Sequence, residues 1–129
     1  MAHPNEELLR KGYDAFANMD IEAIAEMFAD DVVWHSYGDS PFSGDFKGQQ
    51  EVFGMFATIP QKTESFSQEI HDVLANDDHA VALVNQTIAV NGNEMTFETV
   101  HLYHVKDGKV TEGWIVPMDQ AKAAELWAQ

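Results

Sequence analysis

The sequence has 129 residues, of which 45% are hydrophobic, and its 22 acidic against 7 basic residues give a formal net charge of −15. Such a surface repels phosphate backbones and anionic lipid headgroups, which excludes nucleic acid and membranes as partners. The absence of Cys excludes disulfides, thiolate nucleophiles and Cys-ligated zinc. The length fits one domain over residues 1–129. We expect a cytoplasmic protein, because no apolar run approaches ~18 residues and the N-terminus lacks the order of a signal peptide.

The first half of the chain predicts three amphipathic helices and one short strand. Asn5 is expected to cap the first helix and Asp20 the second. A β-branched and aromatic strand follows over 32–37, and a loop dense in turn residues then runs to Lys47. The third helix is expected to stop at Pro60, because proline cannot donate the next helical hydrogen bond.

The second half predicts four long strands, which short turns of Asn, Asp and Gly join. The strands are expected over 65–74, 79–90, 95–106 and 109–118. Asp119 is then expected to cap a short C-terminal helix that runs towards Trp127. Because the helices come first and the strands last, we expect an α+β fold, in which the helices pack on one face of an antiparallel meander.

Several motifs carry a resemblance to a known family. They are Phe28-Ala29-Asp30-Asp31-Val32-Val33-Trp34-His35, Gly38, Ser40-Pro41, Ser43-Gly44, Gly48, His101 ahead of Asp107-Gly108-Lys109-Val110, and Asp119. In this order the chain resembles the SnoaL-like, ketosteroid isomerase-related proteins of the nuclear transport factor two-like superfamily. The resemblance implies a cone: a curved antiparallel or mixed sheet wraps the N-terminal helices and leaves a pocket between them. Relatives include isomerases, polyketide cyclases and non-catalytic binding or dimerisation proteins, so the lining residues decide the chemistry.

Two histidines are candidate bases. If the short strand is aligned through Gly38, His35 resembles the general-base carboxylate of the steroid isomerases, and a neutral imidazole accepts a proton near pH 7 without further tuning. His101 is similar to a pocket-facing residue of the cyclases. Each has a structural alternative, as a rim histidine for His35 and as a hydrogen-bonded core histidine for His101. Because side chains alternate along a strand, Trp34 and His35 cannot both face the cavity without a bulge.

Two further residues are candidates with structural alternatives. Tyr13 falls near the isomerase tyrosine that donates a hydrogen bond to an enolate oxygen, although its spacing also fits core packing. Asp119 either caps the last helix or orients a pocket histidine from the mouth of the cone. His101 and His104 lie three apart on one strand and therefore point to opposite faces, so they cannot chelate one metal ion. We expect no metal and no cofactor.

The sequence thus favours the hypothesis of a cofactor-independent enzyme, ketosteroid isomerase-like or polyketide cyclase-like, that moves a proton next to a carbonyl of a small apolar or aromatic ligand. His35 or His101 would be the base, and Tyr13 and Asp119 would position or polarise the substrate. The expected cavity lining is Trp34, Phe53, Phe97, Tyr103 and Trp114. The alternative is a non-catalytic ligand-binding or dimerisation module. The apolar residues on both faces of the 79–90 strand, together with the resemblance, predict a homodimer.

Overall fold

The computed structural model describes residues 3–128, and within that range it contains four helices and six strands. The helices are α1 (Pro4–Ala17), α2 (Ile21–Met27), α3 (Gly48–Lys62) and α4 (Gln120–Trp127). The strands are β1 (Phe28–Ser36), β2 (Gly44–Lys47), β3 (Ser65–Ala75), β4 (His79–Val90), β5 (Asn93–Lys106) and β6 (Lys109–Pro117). None of the helices in the described range is long and apolar enough to cross a membrane.

One mixed sheet contains all six strands in the order β2-β1-β6-β5-β4-β3. Strands β3 to β6 form the predicted antiparallel meander, and β1 pairs with β6 in parallel. Register shifts interrupt the pairing of β3 with β4 after Ile70 and of β5 with β6 after His104. Such bulges bend and twist strands, which curves the sheet around the helices. The predicted α+β fold with a curved mixed sheet is confirmed.

Three local predictions were wrong. Helix α1 begins at Pro4, and its cap is His3, whose Nδ1 accepts a hydrogen bond from the Asn5 amide, so Asn5 lies inside the helix. The expected loop before Lys47 contains strand β2, whose Phe46 lies opposite Trp34 of β1. The third helix continues past Pro60 to Lys62, and the Thr63 amide still donates to the Ile59 carbonyl at 3.1 Å. Proline therefore removes one hydrogen bond from this helix without ending it.

The main core lies between the inner face of the sheet and helices α1 to α3. Val32 of β1 and Val52 of α3 have no accessible surface, and Leu9 of α1 is 4% exposed. A smaller cluster lies at the other end of the sheet, where Leu126 of α4 is fully buried against Ile88 and Phe97. The two clusters leave a space between them on the inner face of the sheet.

Candidate functional site

A cavity of about 150 Å³ lies between the inner face of the sheet and the helices. Its described lining is mainly apolar and aromatic, with polar side chains at a few points. Among the lining residues of the 3–128 range, Asp39 is the one with a formal charge at neutral pH, since neither Lys nor Arg takes part. A mostly apolar cavity with a few polar groups is typical of a site for a small organic molecule.

A chain of hydrogen bonds lies against this cavity. The Tyr13 hydroxyl from α1 lies 2.6 Å from His101 Nδ1 and 2.8 Å from the Tyr103 hydroxyl. Thr99 Oγ1 lies 3.0 Å from His101 Nε2 and 3.1 Å from the Val84 carbonyl oxygen. Residues 99, 101 and 103 meet here because alternate residues of β5 share the inner face of the sheet. We call Tyr13, Thr99, His101 and Tyr103 the hydroxyl cluster.

Burial keeps the hydroxyl cluster uncharged. Loss of solvent lowers the pKa of His101 to about 3, because the imidazolium form cannot be hydrated there. Burial raises the pKa of Tyr13 and of Tyr103 well above the ordinary value for a phenol. Both tyrosines are therefore neutral donors at physiological pH, and His101 is a neutral imidazole with one proton on its ring.

The position of the His101 ring proton sets which atom donates and which accepts in each hydrogen bond of the cluster. If Nε2 of His101 carries it, Nε2 donates to Thr99, Tyr13 donates to Nδ1 and Tyr103 donates to Tyr13. If Nδ1 carries it, Thr99 must turn its one proton from the Val84 carbonyl to Nε2; Nδ1 then donates to Tyr13 and Tyr13 donates to Tyr103. The second arrangement frees the Tyr103 proton for a molecule in the cavity. The Tyr103 hydroxyl can thus act towards a molecule in the cavity either as an acceptor or as a donor.

Three of the predicted lining residues do line the cavity: Trp34, Phe97 and Tyr103. Trp34 packs edge-on against Phe56 of α3 with ring centroids 5.2 Å apart, and its ring lies 5.8 Å from that of Tyr103. Trp34 therefore belongs to both the core and the cavity wall. Phe97 lies at the α4 end, where it packs in the cluster of Leu126.

His35 lies on the opposite face of the sheet, which contradicts the expectation that it points inward. Its Nδ1 is 2.6 Å from Asp45 Oδ1, its Nε2 is 2.6 Å from Glu112 Oε2, and its ring stacks on Trp114. Hydrogen bonds to Asp45 and Glu112 raise the pKa of His35. Strict alternation along β1 is the physical reason: because Trp34 faces the cavity, its neighbour faces away. His35 and His101 do not share one cavity.

The structure also corrects the expectations for Trp114, Phe53 and Asp119. Trp114 lies on the outer face of the sheet, between the rings of His35 and His104. Phe53 stacks on Phe28 behind the cavity wall, with centroids 5.9 Å apart. Asp119 is exposed and caps α4, since its Oδ1 accepts a hydrogen bond from the Lys122 amide at 3.0 Å. None of the three is among the lining residues of the described range.

His104 contacts His79 on the outer face while His101 faces the cavity, as the three-residue spacing predicts. Within the part of the chain that the structure describes, no group of three His, Asp or Glu side chains is placed to hold a metal ion.

Sequence reasoning missed Asp39 and two glutamines, Gln68 and Gln86, which also line the cavity. Asp39 lies three residues after the end of β1, in a turn-rich segment that carried no periodic signal. The glutamines do have a signal, because each lies two residues from an inward-facing apolar residue of its strand, Phe66 for Gln68 and Ile88 for Gln86.

Comparison with known proteins agrees with this architecture. Bal32a, from a soil-derived mobile gene cassette, is 28% identical over 96% of each chain, with a TM-score of 0.90. TerC, in a structure co-crystallised with polyporic acid, is 22% identical over 98% of this chain and 100% of its own, with a TM-score of 0.88. An NTF2-like protein from Burkholderia pseudomallei K96243 is 22% identical over 99% and 100%, with a TM-score of 0.89.

A search of the curated proteins finds no match to this chain. The family model of the SnoaL-like domain, however, matches residues 9–113, which include α2, α3 and most of the sheet. The resemblance inferred from the sequence motifs is thereby confirmed, and the chain belongs to the SnoaL-like family.

Proposed function

We propose that this protein is an enzyme that binds a small apolar carbonyl compound in the cavity and moves a proton next to its carbonyl group, without a cofactor. The observation that carries the proposal is the hydroxyl cluster, a set of neutral hydrogen-bonding groups buried against a mainly apolar space. Buried donors stabilise a developing oxyanion strongly, because little water competes with them and they need no reorganisation.

Tyr103 is the proposed donor to the substrate oxygen. With the His101 proton on Nδ1 and the Thr99 proton turned from the Val84 carbonyl to Nε2, the donor chain runs from Thr99 through His101 and Tyr13, and it ends at the Tyr103 hydroxyl. Each bond in the chain fixes the next hydroxyl, so the last donor is held in place before the substrate arrives. His101 is thus a positioning residue in this proposal.

His101 is a poor candidate for the base. Both of its ring nitrogens are engaged within the cluster, and burial lowers its pKa to about 3. His35 lies on the outer face of the sheet. Asp39 is the remaining choice, since it is the one carboxylate that lines the cavity within the described range.

The proposed reaction has two proton transfers. Asp39 takes a proton from the carbon next to the carbonyl, and the electrons of that C–H bond form an enolate. The enolate oxygen then accepts a hydrogen bond from Tyr103. Protonated Asp39 returns the proton to a carbon of the enolate, which isomerises the substrate and regenerates the carboxylate.

The α4 end of the cavity would limit the access of water. Phe42, in the segment after β1, packs edge-on against Trp127 of α4 with ring centroids 5.4 Å apart, and both line the cavity. The buried Leu126 holds α4 against the sheet. Exclusion of water strengthens the hydrogen bond to a charged oxygen.

A non-catalytic ligand-binding protein is the second candidate. It is favoured by one observation: Asp39 is exposed, and no hydrogen bond from the described residues holds its carboxylate in place. In either case the TerC neighbour, which was co-crystallised with polyporic acid, supports a small organic ligand for this fold.

We further propose a homodimer formed through the outer face of the sheet. Half-buried apolar residues continue across three neighbouring strands on that face: Val81, Leu83, Val100, Leu102, Trp114 and Val116. Contiguous apolar surface of this kind is typical of an interface between protein chains.

The deciding experiment is hydrogen–deuterium exchange next to the carbonyl of β-tetralone, followed by NMR in D₂O. The wild-type protein should accelerate exchange, Asp39→Asn should lower the rate by about 10²- to 10⁴-fold, and Tyr103→Phe should lower it by about 10²- to 10³-fold. Asp31→Asn, an exposed carboxylate outside the cavity, is the matched control. Binding without accelerated exchange would favour the non-catalytic candidate, and absence of binding would contradict both.

A further inference from the structure

A pair of glutamines forms a second polar point on the cavity wall. Gln68 of β3 and Gln86 of β4 lie directly opposite each other in the antiparallel register. Gln86 Nε2 donates to Gln68 Oε1 at 3.0 Å. Both line the cavity, and no other carboxamide of the described residues does so.

The pair leaves hydrogen-bonding capacity unused. Each carboxamide has two N–H donors and one carbonyl acceptor, and the mutual bond consumes one donor and one acceptor. No side-chain polar atom that is fully buried within residues 3–128 lacks a partner, so the remaining amide atoms of the pair are reached from the cavity or from solvent. The Nε2 group of Gln68 and the Oε1 atom of Gln86 are thus available to a ligand.

The glutamine pair is separate from the hydroxyl cluster. His101 of that cluster lies opposite Ala82 on β4, four residues before Gln86. Four residues of strand span roughly 13 Å. On β5, Thr99 lies between His101 and Phe97, but its hydroxyl is engaged by His101 Nε2 and the Val84 carbonyl, and the Phe97 position lies opposite Gln86. A ligand that reaches both polar points must be elongated, with an apolar middle.

The charges around the cavity restrict the ligand further. No Lys or Arg of the described range lines the cavity, and its one formally charged residue, Asp39, is anionic. A carboxylate or phosphate would therefore lose its hydration without gaining a counter-charge. A neutral group that both donates and accepts, above all a hydroxyl, matches the free N–H and C=O of the glutamine pair.

We propose that Gln68 and Gln86 form a second subsite, and that the ligand is an uncharged, elongated molecule with one oxygen at the hydroxyl cluster and a second hydroxyl or carbonyl at the glutamine pair. The inference rests on the proposed function for the first oxygen alone. It names a specificity determinant that the proton transfer itself does not require.

The test compares two probes of the same shape. para-Phenylphenol carries one hydroxyl, and para,para′-biphenol carries one at each end. Isothermal titration calorimetry should show that wild-type protein binds the biphenol about tenfold more tightly, the ratio that one well-formed hydrogen bond supplies. In Gln68→Met and Gln86→Met, which keep the side-chain length, the two probes should bind equally. Gln61→Met on the exposed side of α3 should keep the wild-type ratio.

The outcomes separate the second subsite from the first. Tyr103→Phe should weaken both probes by a similar factor and keep the ratio between them, which supports both sites. Equal affinity of the probes for wild-type protein, or an unchanged ratio in both glutamine variants, would overturn the second subsite and leave the hydroxyl cluster standing. If the wild-type protein binds neither probe, and neither probe alters its thermal melt, the inference fails together with the proposed function.

Discussion

Replacement of His101 tests how the hydroxyl cluster works without any knowledge of the substrate. In the folded protein burial lowers the pKa of His101 to about 3, whereas an unfolded chain has a histidine pKa of about 6.5. Between these values the unfolded state binds a proton that the folded state does not. Stability is therefore lost as the pH falls below the unfolded value, and the loss continues down to the folded value.

The size of the stability loss follows from the shift in the pKa of His101. One pKa unit corresponds to about 1.4 kcal/mol, so His101 should remove about 2 kcal/mol from the free energy of unfolding between about pH 7.5 and about pH 5. His101→Gln keeps a donor and an acceptor but does not titrate. Urea denaturation of this variant should show a smaller loss over the same interval, by about that amount. The exposed His71 provides a matched control, since His71→Gln removes an imidazole outside the cluster.

Two results would refute this account of the site. Equal pH dependence of the wild type and His101→Gln would mean that the imidazole is not held neutral by burial. An NMR titration of the His101 ring with a midpoint near its ordinary value would mean the same. Either result would return His101 to the candidates for the general base.

Further predictions concern the outer face and the cavity wall. Because carboxylates raise the pKa of His35, the stability that His35 contributes to the fold is fully present below about pH 6.5 and is lost as the pH rises through the folded-state pKa. Urea denaturation of His35→Gln should therefore show a smaller loss of stability towards alkaline pH. Gly113→Ala should cost roughly 1 to 3 kcal/mol, because the new Cβ would lie 3.0 Å from the Tyr103 ring, whereas Gly54→Ala in α3 meets nothing within 4 Å and should not destabilise. Wild-type protein should sediment as a dimer and Leu102→Asp, on the outer face, as a monomer; a wild-type monomer at micromolar concentration would contradict the interface.

The sequence predicted most of the fold because its long strands carry two independent signals, namely runs of apolar residues and turn residues at both ends. Strand β4 matches its prediction over its whole length, since a run of mostly apolar residues lies between two turns of Asn and Gly or Asp. Strand β2 has neither signal: it is four residues long and has one apolar side chain, Phe46. Its pairing with β1 is a tertiary effect that residue patterns do not contain.

The site was harder to predict than the fold, because the periodicity of a strand shows that its side chains alternate between two faces but not which face points inward. On β1 the pattern showed that Trp34 and His35 point to opposite sides, and the family resemblance then favoured the histidine. In the structure the other face of β1 lies inward. Val32 and Trp34 are buried, whereas His35 is hydrogen-bonded to carboxylates of the adjoining strands. Those partners are 10 and 77 residues away, so no local pattern predicts them.

The two histidines also show why residue type alone does not identify a base. A general base needs a free lone pair and a pKa near the working pH. His35 uses both ring nitrogens on carboxylates, which favour its charged form, and His101 uses both within the hydroxyl cluster, where burial favours the neutral form. The environment thus moves the pKa of the two imidazoles in opposite directions from one starting value. Under the proposed function, proton abstraction falls to a group with an open lone pair, which makes Asp39 the residue whose substitution decides between catalysis and binding alone.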